Sequence, residues 1–159
     1  MIFMEKTTKA QLTDDLINAL QESTNEIIFL NNALAASLGM NTKDFRCVNL
    51  LMRYGPVPAG KLAELTGLST GAITSVVDRL EKAGYVKRLN NTKDRRTKII
   101  KLVENKQLAK MQSNFFQNRV DLMESYSNQE LEVIIHFTKH MVKSSKRLRV
   151  ELSISKGKP

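Results

Sequence analysis

Apolar residues recur at helical spacing from about Leu12 to Leu38, through Leu16, Leu20, Ile27 and Leu34. Gly39 follows, the residue type that most readily closes a helix in the left-handed conformation. Asn41 is a good N-cap for a second helix, with Asp44 at the third helical position in a variant of the capping box. Phe45, Val48 and Leu51 line one side of that helix, which should end near Gly55-Pro56. Pro58 and Gly60 interrupt the pattern again before a short helix from Lys61 to Thr66.

The period then changes twice. Gly67-Leu68-Ser69 makes a tight turn, and Ser69 caps a helix expected from Thr70 to about Lys82, closed by Gly84. Tyr85-Val86-Lys87-Arg88-Leu89 alternates as a half-buried strand does, Asn90 to Asp94 is turn-rich, and Thr97 to Val103 reads as the returning strand. Helix, helix and β-hairpin in that order predict a winged helix-turn-helix. Beyond Glu104 the helical period returns to about Glu124. Ser127 and Glu130 then form an S-x-x-E capping box for a last helix reaching about Val150, with Leu131, Ile134, Ile135, Met141, Val142 and Leu148 in its apolar set.

Long helices at both ends cannot all bury their apolar faces on so small a central domain, so they are expected to form an intersubunit layer. The fold class is therefore mostly α with a small β-wing: a winged helix-turn-helix plus long terminal dimerisation helices. The expected organisation is an N-terminal dimerisation helix over 1–40 and a DNA-binding lobe over 41–103. C-terminal dimerisation helices over 104–152 and a flexible basic tail over 153–159 complete it.

Charge sharpens this picture once it is located. Residues 61–101 carry ten basic and four acidic side chains, a net of +6, and residues 139–159 carry seven and one, again +6. The intervening and preceding segments are slightly acidic, so the whole-chain charge of +9 sits in two places. Such a footprint suits a phosphate backbone. No apolar run approaches the ~20 residues of a membrane span. The N-terminus lacks the pattern of a secretory signal, and Cys47 is the single cysteine. A cytoplasmic protein with no membrane partner and no disulfide framework is expected.

Within the helix-turn-helix, small Ala63 lets the two helices approach, and Gly67 supplies the turn that sets their crossing. Ile73, Val76, Val77 and Leu80 form the buried side of the second helix. Its other side offers Ser69, Thr70, Gly71, Thr74, Ser75 and Arg79 toward double-stranded DNA. Recognition helices read base edges from their N-terminal half, so Thr70, Thr74 and Ser75 are the expected base or phosphate contacts. Arg79 is expected to meet phosphate or to be held by an acid such as Asp94. The hairpin tip, with Lys93, Arg95 and Arg96, suits the negative potential of a narrow minor groove. Asp94 is expected to orient one of those arginines by a charge-assisted hydrogen bond.

The run Leu62-Ala63-Glu64-Leu65-Thr66-Gly67-Leu68-Ser69 resembles the MarR (multiple antibiotic resistance regulator) family. So do Val77-Asp78-Arg79-Leu80-Glu81-Lys82-Ala83-Gly84-Tyr85-Val86 and Asp94-Arg95-Arg96. The resemblance covers nearly the whole chain and is most specific from Leu62 to Leu102. It implies a homodimer with intertwined terminal helices, two winged helices on a pseudo-palindromic duplex, and an arginine placed in the minor groove by the motif of Asp94 and Arg96. It also implies transcriptional repression relieved by a small, often aromatic, effector, in a cleft lined by Phe45, Cys47 and Met52. Two positions depart from the family pattern: Ser75 stands where many members carry arginine, and Lys106 where glycine is common.

Other chemistries are weaker. Phe45 and Val48 beside Cys47 suggest an apolar setting, in which cysteine acts as a small hydrophobe rather than an oxidant sensor. Glu132, His136 and His140 share a helix face at metal-ligand spacing, but Lys139 and Lys143 would oppose a cation there, so no metal and no cofactor is expected. No nucleophile elbow, Walker loop, CxxC or HExxH motif occurs, and binding is expected rather than catalysis. The competing readings are a winged-helix protein-interaction module and a non-specific architectural DNA binder.

Overall fold

A computed structural model describes residues 7–92, 94 and 96–155, with side chains as far as 152. Two compact units divide the chain, residues 1–107 and 108–159. The first holds α1 (Lys9–Ser37), α2 (Thr42–Tyr54), β1 (Val57–Pro58), α3 (Ala59–Thr66), α4 (Thr70–Lys82), β2 (Val86–Asn90) and β3 (Lys98–Leu102). The second is built from α5 (Lys106–Met123), from its third residue onward, and α6 (Asn128–Ser155). The protein is thus mostly helical, with one small antiparallel sheet as its wing.

Local chemistry places most boundaries. Thr8 and Gln11 form a capping box that starts α1 three residues before the first apolar residue of its stripe: Thr8 Oγ1 accepts from Gln11 N, and Thr8 N donates to Gln11 Oε1. Gly39 takes the left-handed conformation at φ +66° after α1, and Gly67 does so at φ +71° between α3 and α4. Asn41 caps α2 by accepting from Asp44 N at 2.9 Å, while its amide also donates to Asp44 Oδ2 at 2.9 Å. The Ser127–Glu130 box forms at the start of α6, and the hydrogen bonds from Ser127 lower the pKa of Glu130.

Several elements differ from expectation, three of them for a clear local reason. α3 begins at Ala59 rather than Lys61, because Pro58 sits at its N-cap, where a missing N–H is harmless, and Gly60 falls in its first turn. Val57 and Pro58 add an outer strand, giving the order β1-β3-β2, with Val57 opposite Ile100 and Pro58 opposite Ile99. The stretch expected as tail from 153 remains helical through Ser155, since no glycine or proline interrupts before Gly157. Residues 156–159 lie outside the described residues.

The first unit is organised around one core. Val48 and Leu51 of α2, Leu62 of α3 and Ile73, Val76, Val77 and Leu80 of α4 are buried, with Val86 and Ile100 on the inner face of the sheet. Tyr85 ties the core together: its hydroxyl donates to the Leu38 carbonyl at 2.8 Å, joining the start of the wing to the end of α1. Lys87 and Lys101 oppose each other on the outer, exposed face.

Candidate nucleic-acid interface

The turn between α3 and α4 is fastened from within. Buried Thr66 donates its hydroxyl to the Leu62 carbonyl at 2.6 Å, and its oxygen accepts from Leu68 N at 3.3 Å. Ser69 then caps α4 by accepting from Ala72 N at 3.3 Å. These bonds hold the N-terminal half of α4 outward: Thr70, Gly71, Thr74 and Ser75 are exposed while Ile73, Val76 and Val77 are buried. A Cβ built on Gly71 would meet nothing within 4 Å, so no packing inside the chain demands a glycine there. The hydroxyls of Thr74 and Ser75 donate to the Thr70 and Gly71 carbonyls at 3.0 and 3.1 Å. Both residues stay exposed, so each hydroxyl oxygen keeps its capacity to accept.

The C-terminal half of α4 uses its charges differently. Arg79 donates from Nε to Asp44 Oδ2 at 3.0 Å and from Nη2 to Asp44 Oδ1 at 2.6 Å. The hydrogen bonds that Arg79 donates to Asp44 raise the pKa of Arg79. Its partner is therefore Asp44 of α2, not Asp94 of the wing, because the α2 N-terminus packs directly beside α4. On another side, Arg88 of β2 binds both Asp78 and Glu81. Burial works against the charge of Arg88, but these two carboxylates outweigh it and raise the pKa. None of these three ties is evident from sequence spacing.

At the wing, Asp94 Oδ1 accepts the backbone N–H of Arg96 at 3.0 Å. Thr97 N and Thr97 Oγ1 both donate to the Asp94 carbonyl at 3.1 Å, and Asn91 Nδ2 donates to Thr97 Oγ1 at 2.8 Å. Toward Arg96, then, Asp94 acts on the main chain: in so tight a turn its carboxylate meets the amide two residues on, not the guanidinium. Lys93 and Arg95, the other two cations expected at the tip, lie outside the described residues.

The two halves meet in a cleft of about 280 Å³ between α4 and the wing. Thr74 and Val77 line one side, Arg88, Arg96 and Lys98 the other, and Ala59 and Gly60 at the start of α3 close it. A second groove of about 310 Å³ runs between α1 and α2, lined by Ile28, Asn31 and Asn32 opposite Thr42, Phe45, Arg46 and Asn49. Of the three residues expected in an effector cleft, Phe45 borders this groove. Cys47 is instead wholly buried and Met52 half-buried, neither among its lining residues. Burial first, and then the Asp44 carboxylate, push the Cys47 thiol up to about 11, against the weaker pull of Arg46 and Arg79. On α6 the rings of His136 and His140 lie 4.3 Å apart on one face. No group of three or more His, Cys, Asp or Glu side chains able to hold a metal occurs among the described residues.

Residues 40–98, from the turn before α2 to the start of β3, match the model of the MarR family. The chain is also 32% identical over 134 residues to the HTH-type transcriptional regulator YcgE of Bacillus subtilis, covering 83% of this chain and 87% of that protein. The chain belongs to the MarR family. As a MarR protein it is a DNA-binding transcriptional regulator of the helix-turn-helix type, not an enzyme. Its fold is that of FabT from Streptococcus pneumoniae, solved in complex with DNA: TM-score 0.69, 17% identity, covering 86% of this chain and 99% of that one. It is also that of NadR, solved with 4-hydroxyphenylacetate: TM-score 0.62, 18% identity, covering 90% and 99%. No described helix of this MarR protein is long and apolar enough to cross a membrane.

Proposed function

We propose that the chain is a homodimeric repressor. Two copies seat their α4 helices in successive major grooves of a pseudo-palindromic duplex, with Arg96 of each wing in a flanking minor groove. The observation that carries this is a basic cleft lined by both Thr74 of the helix and Arg96 of the wing. Ser69, Thr70 and Gly71 bring the positive end of α4 to the phosphates. Thr74 and Ser75 meet base edges as hydrogen-bond acceptors or through the threonine methyl. Lys93 and Arg95 add charge at the tip, and Asp94 holds the turn that presents Arg96.

Dimerisation has its own support. Apart from Tyr54 and Leu89, the exposed large hydrophobic side chains among the described residues lie on α1, α5 and α6 or in the turn between the last two. They include Leu16, Ile27 and Phe29 of α1, Phe116 of α5, and Val133, Ile135 and Leu148 of α6. Such surfaces need a partner, and a second copy matches each in length and character. In this reading residues 1–40 and 104–152 make the dimer and 41–103 the DNA-binding lobe. The chain works in the cytoplasm, and a small aromatic effector beside Phe45 in the α1–α2 groove releases the operator. The NadR complex supports an effector of that kind.

Selection from randomised duplexes, repeated with 4-hydroxyphenylacetate, tests the proposal. An inverted-repeat consensus bound by a dimer in light scattering is the expected result. Arg96→Ala should weaken binding on the order of tenfold and make log K against log salt shallower by about 0.9 for each phosphate it no longer neutralises. Equal affinity for all duplexes would indicate an architectural binder, and no duplex binding at all a protein-interaction module.

A further inference from the structure

Arg79 stands on the helix that the reading above places in the major groove, half exposed, with 49% of its side chain accessible. By position it looks like a phosphate contact. Its donors, however, are engaged in a two-point bond to Asp44, which is only 7% exposed and lies 35 residues away. Asp44 is in turn fixed by both Asn41 hydrogen bonds at the start of α2. A carboxylate this buried requires its cation, because desolvation without a partner is strongly unfavourable. The planar fork of arginine fills that role in one geometry only. Across α4, Asp78 and Glu81 make the matching connection to Arg88 of β2. The recognition helix is therefore held from two sides by ion pairs emanating from its own C-terminal half.

We infer that Arg79 is a positioning residue rather than a DNA contact: paired with Asp44, it sets the angle at which α4 meets the duplex. The inference rests on α4 being the DNA-reading helix. It makes a prediction of sign. Asp44 is an anion beside a DNA-binding helix, so on electrostatics alone its removal would strengthen binding. As the anchor of Arg79, its removal weakens binding.

The test measures affinity for the selected duplex at several salt concentrations with Asp44→Ala, Arg79→Ala, the double variant and Arg96→Ala, each checked for folding by circular dichroism. Each single Asp44 or Arg79 variant should bind on the order of tenfold more weakly, and the double variant no worse than the weaker single, as expected for partners in one interaction. The salt slope should stay at the wild-type value, whereas removing a cation that neutralises one phosphate would lower it by about 0.9. Tighter binding by Asp44→Ala, or a shallower slope in Arg79→Ala, overturns the inference. Full affinity in the Asp44 and Arg79 variants beside a weakened Arg96→Ala overturns positioning alone, and full affinity in all of them overturns the interface reading as well. Where alanine unfolds the chain, Arg79→Lys decides: it keeps the charge but not the fork, so positioning requires weaker binding and direct phosphate contact does not.

Discussion

Cys47 offers a direct measurement of how firmly the α2–α4 packing excludes water. Its thiol is wholly buried and is pushed up to about 11 from an ordinary value of 9.0, by burial first and the nearby Asp44 carboxylate second. An acid whose pKa is raised on folding leaves stability intact below the unfolded pKa. Between the two values the unfolded chain loses its proton while the folded chain keeps it, so stability falls as pH rises through that window. Two decades of proton activity between the two values set a limit of roughly 3 kcal/mol, with about half of it gone at pH 10. The perturbation is Cys47→Ala, which cannot titrate and leaves a small cavity worth about 1 kcal/mol of destabilisation at neutral pH. The assay is urea unfolding of both proteins at equal concentration from pH 7.5 to 11. Other titrating groups cancel in the difference. The advantage of the wild type should vanish near pH 10 and reverse above it. Parallel stability curves across that range would mean that folding does not make the Cys47 thiol harder to ionise. Labelling by a thiol reagent at pH 8 should likewise proceed only at the rate of unfolding, which an oxidant sensor could not satisfy.

Two further substitutions probe the interface and its support. Gly71→Ala should raise stability by roughly 0.5–1 kcal/mol in thermal unfolding, since alanine favours a helix and its Cβ meets no neighbour, and yet weaken duplex binding by crowding the DNA backbone. Gains in both would show that nothing approaches closely at that turn. Tyr85→Phe removes the buried hydrogen bond to the Leu38 carbonyl and should lower stability by about 1 kcal/mol in denaturant titration. An unchanged midpoint would mean that water replaces the hydroxyl at no cost.

What the sequence discloses depends on how far apart the interacting residues lie. Gly39, Asn41, Gly67, Ser69 and the Ser127–Glu130 box act within one turn of chain, and their roles follow from residue type. The inward face of α4 follows equally from its period. β1 is different: two residues cannot display an alternation, and Pro58 reads as an interruption until β3 is in place beside it. Asp44–Arg79 and Tyr85–Leu38 span 35 and 47 residues, so composition names the charges without naming the pairs. Asp94 is a related case, with Arg95 outside the described residues. Its nearness to Arg96 invites an ion pair, but the turn brings the backbone amide to the carboxylate first.

These pairings redistribute the basic charge that first pointed to DNA. Residues 61–101 hold a net +6, but Arg79 and Arg88 are occupied by Asp44, Asp78 and Glu81, and the N-terminal half of α4 carries no charged side chain. Among the described residues Lys98 hydrogen-bonds to the neutral Asn90, which leaves its charge at the cleft beside Arg96. In the proposed complex the salt-dependent part of binding comes mainly from the wing, and α4 discriminates through hydroxyls, a methyl group and a bare glycine. A helix that reads so lightly gains little from each base edge it meets, and it meets them only if its angle is right. That is why two ion-pair anchors, to α2 and to β2, matter more here than they would for a recognition helix carrying an arginine at Ser75.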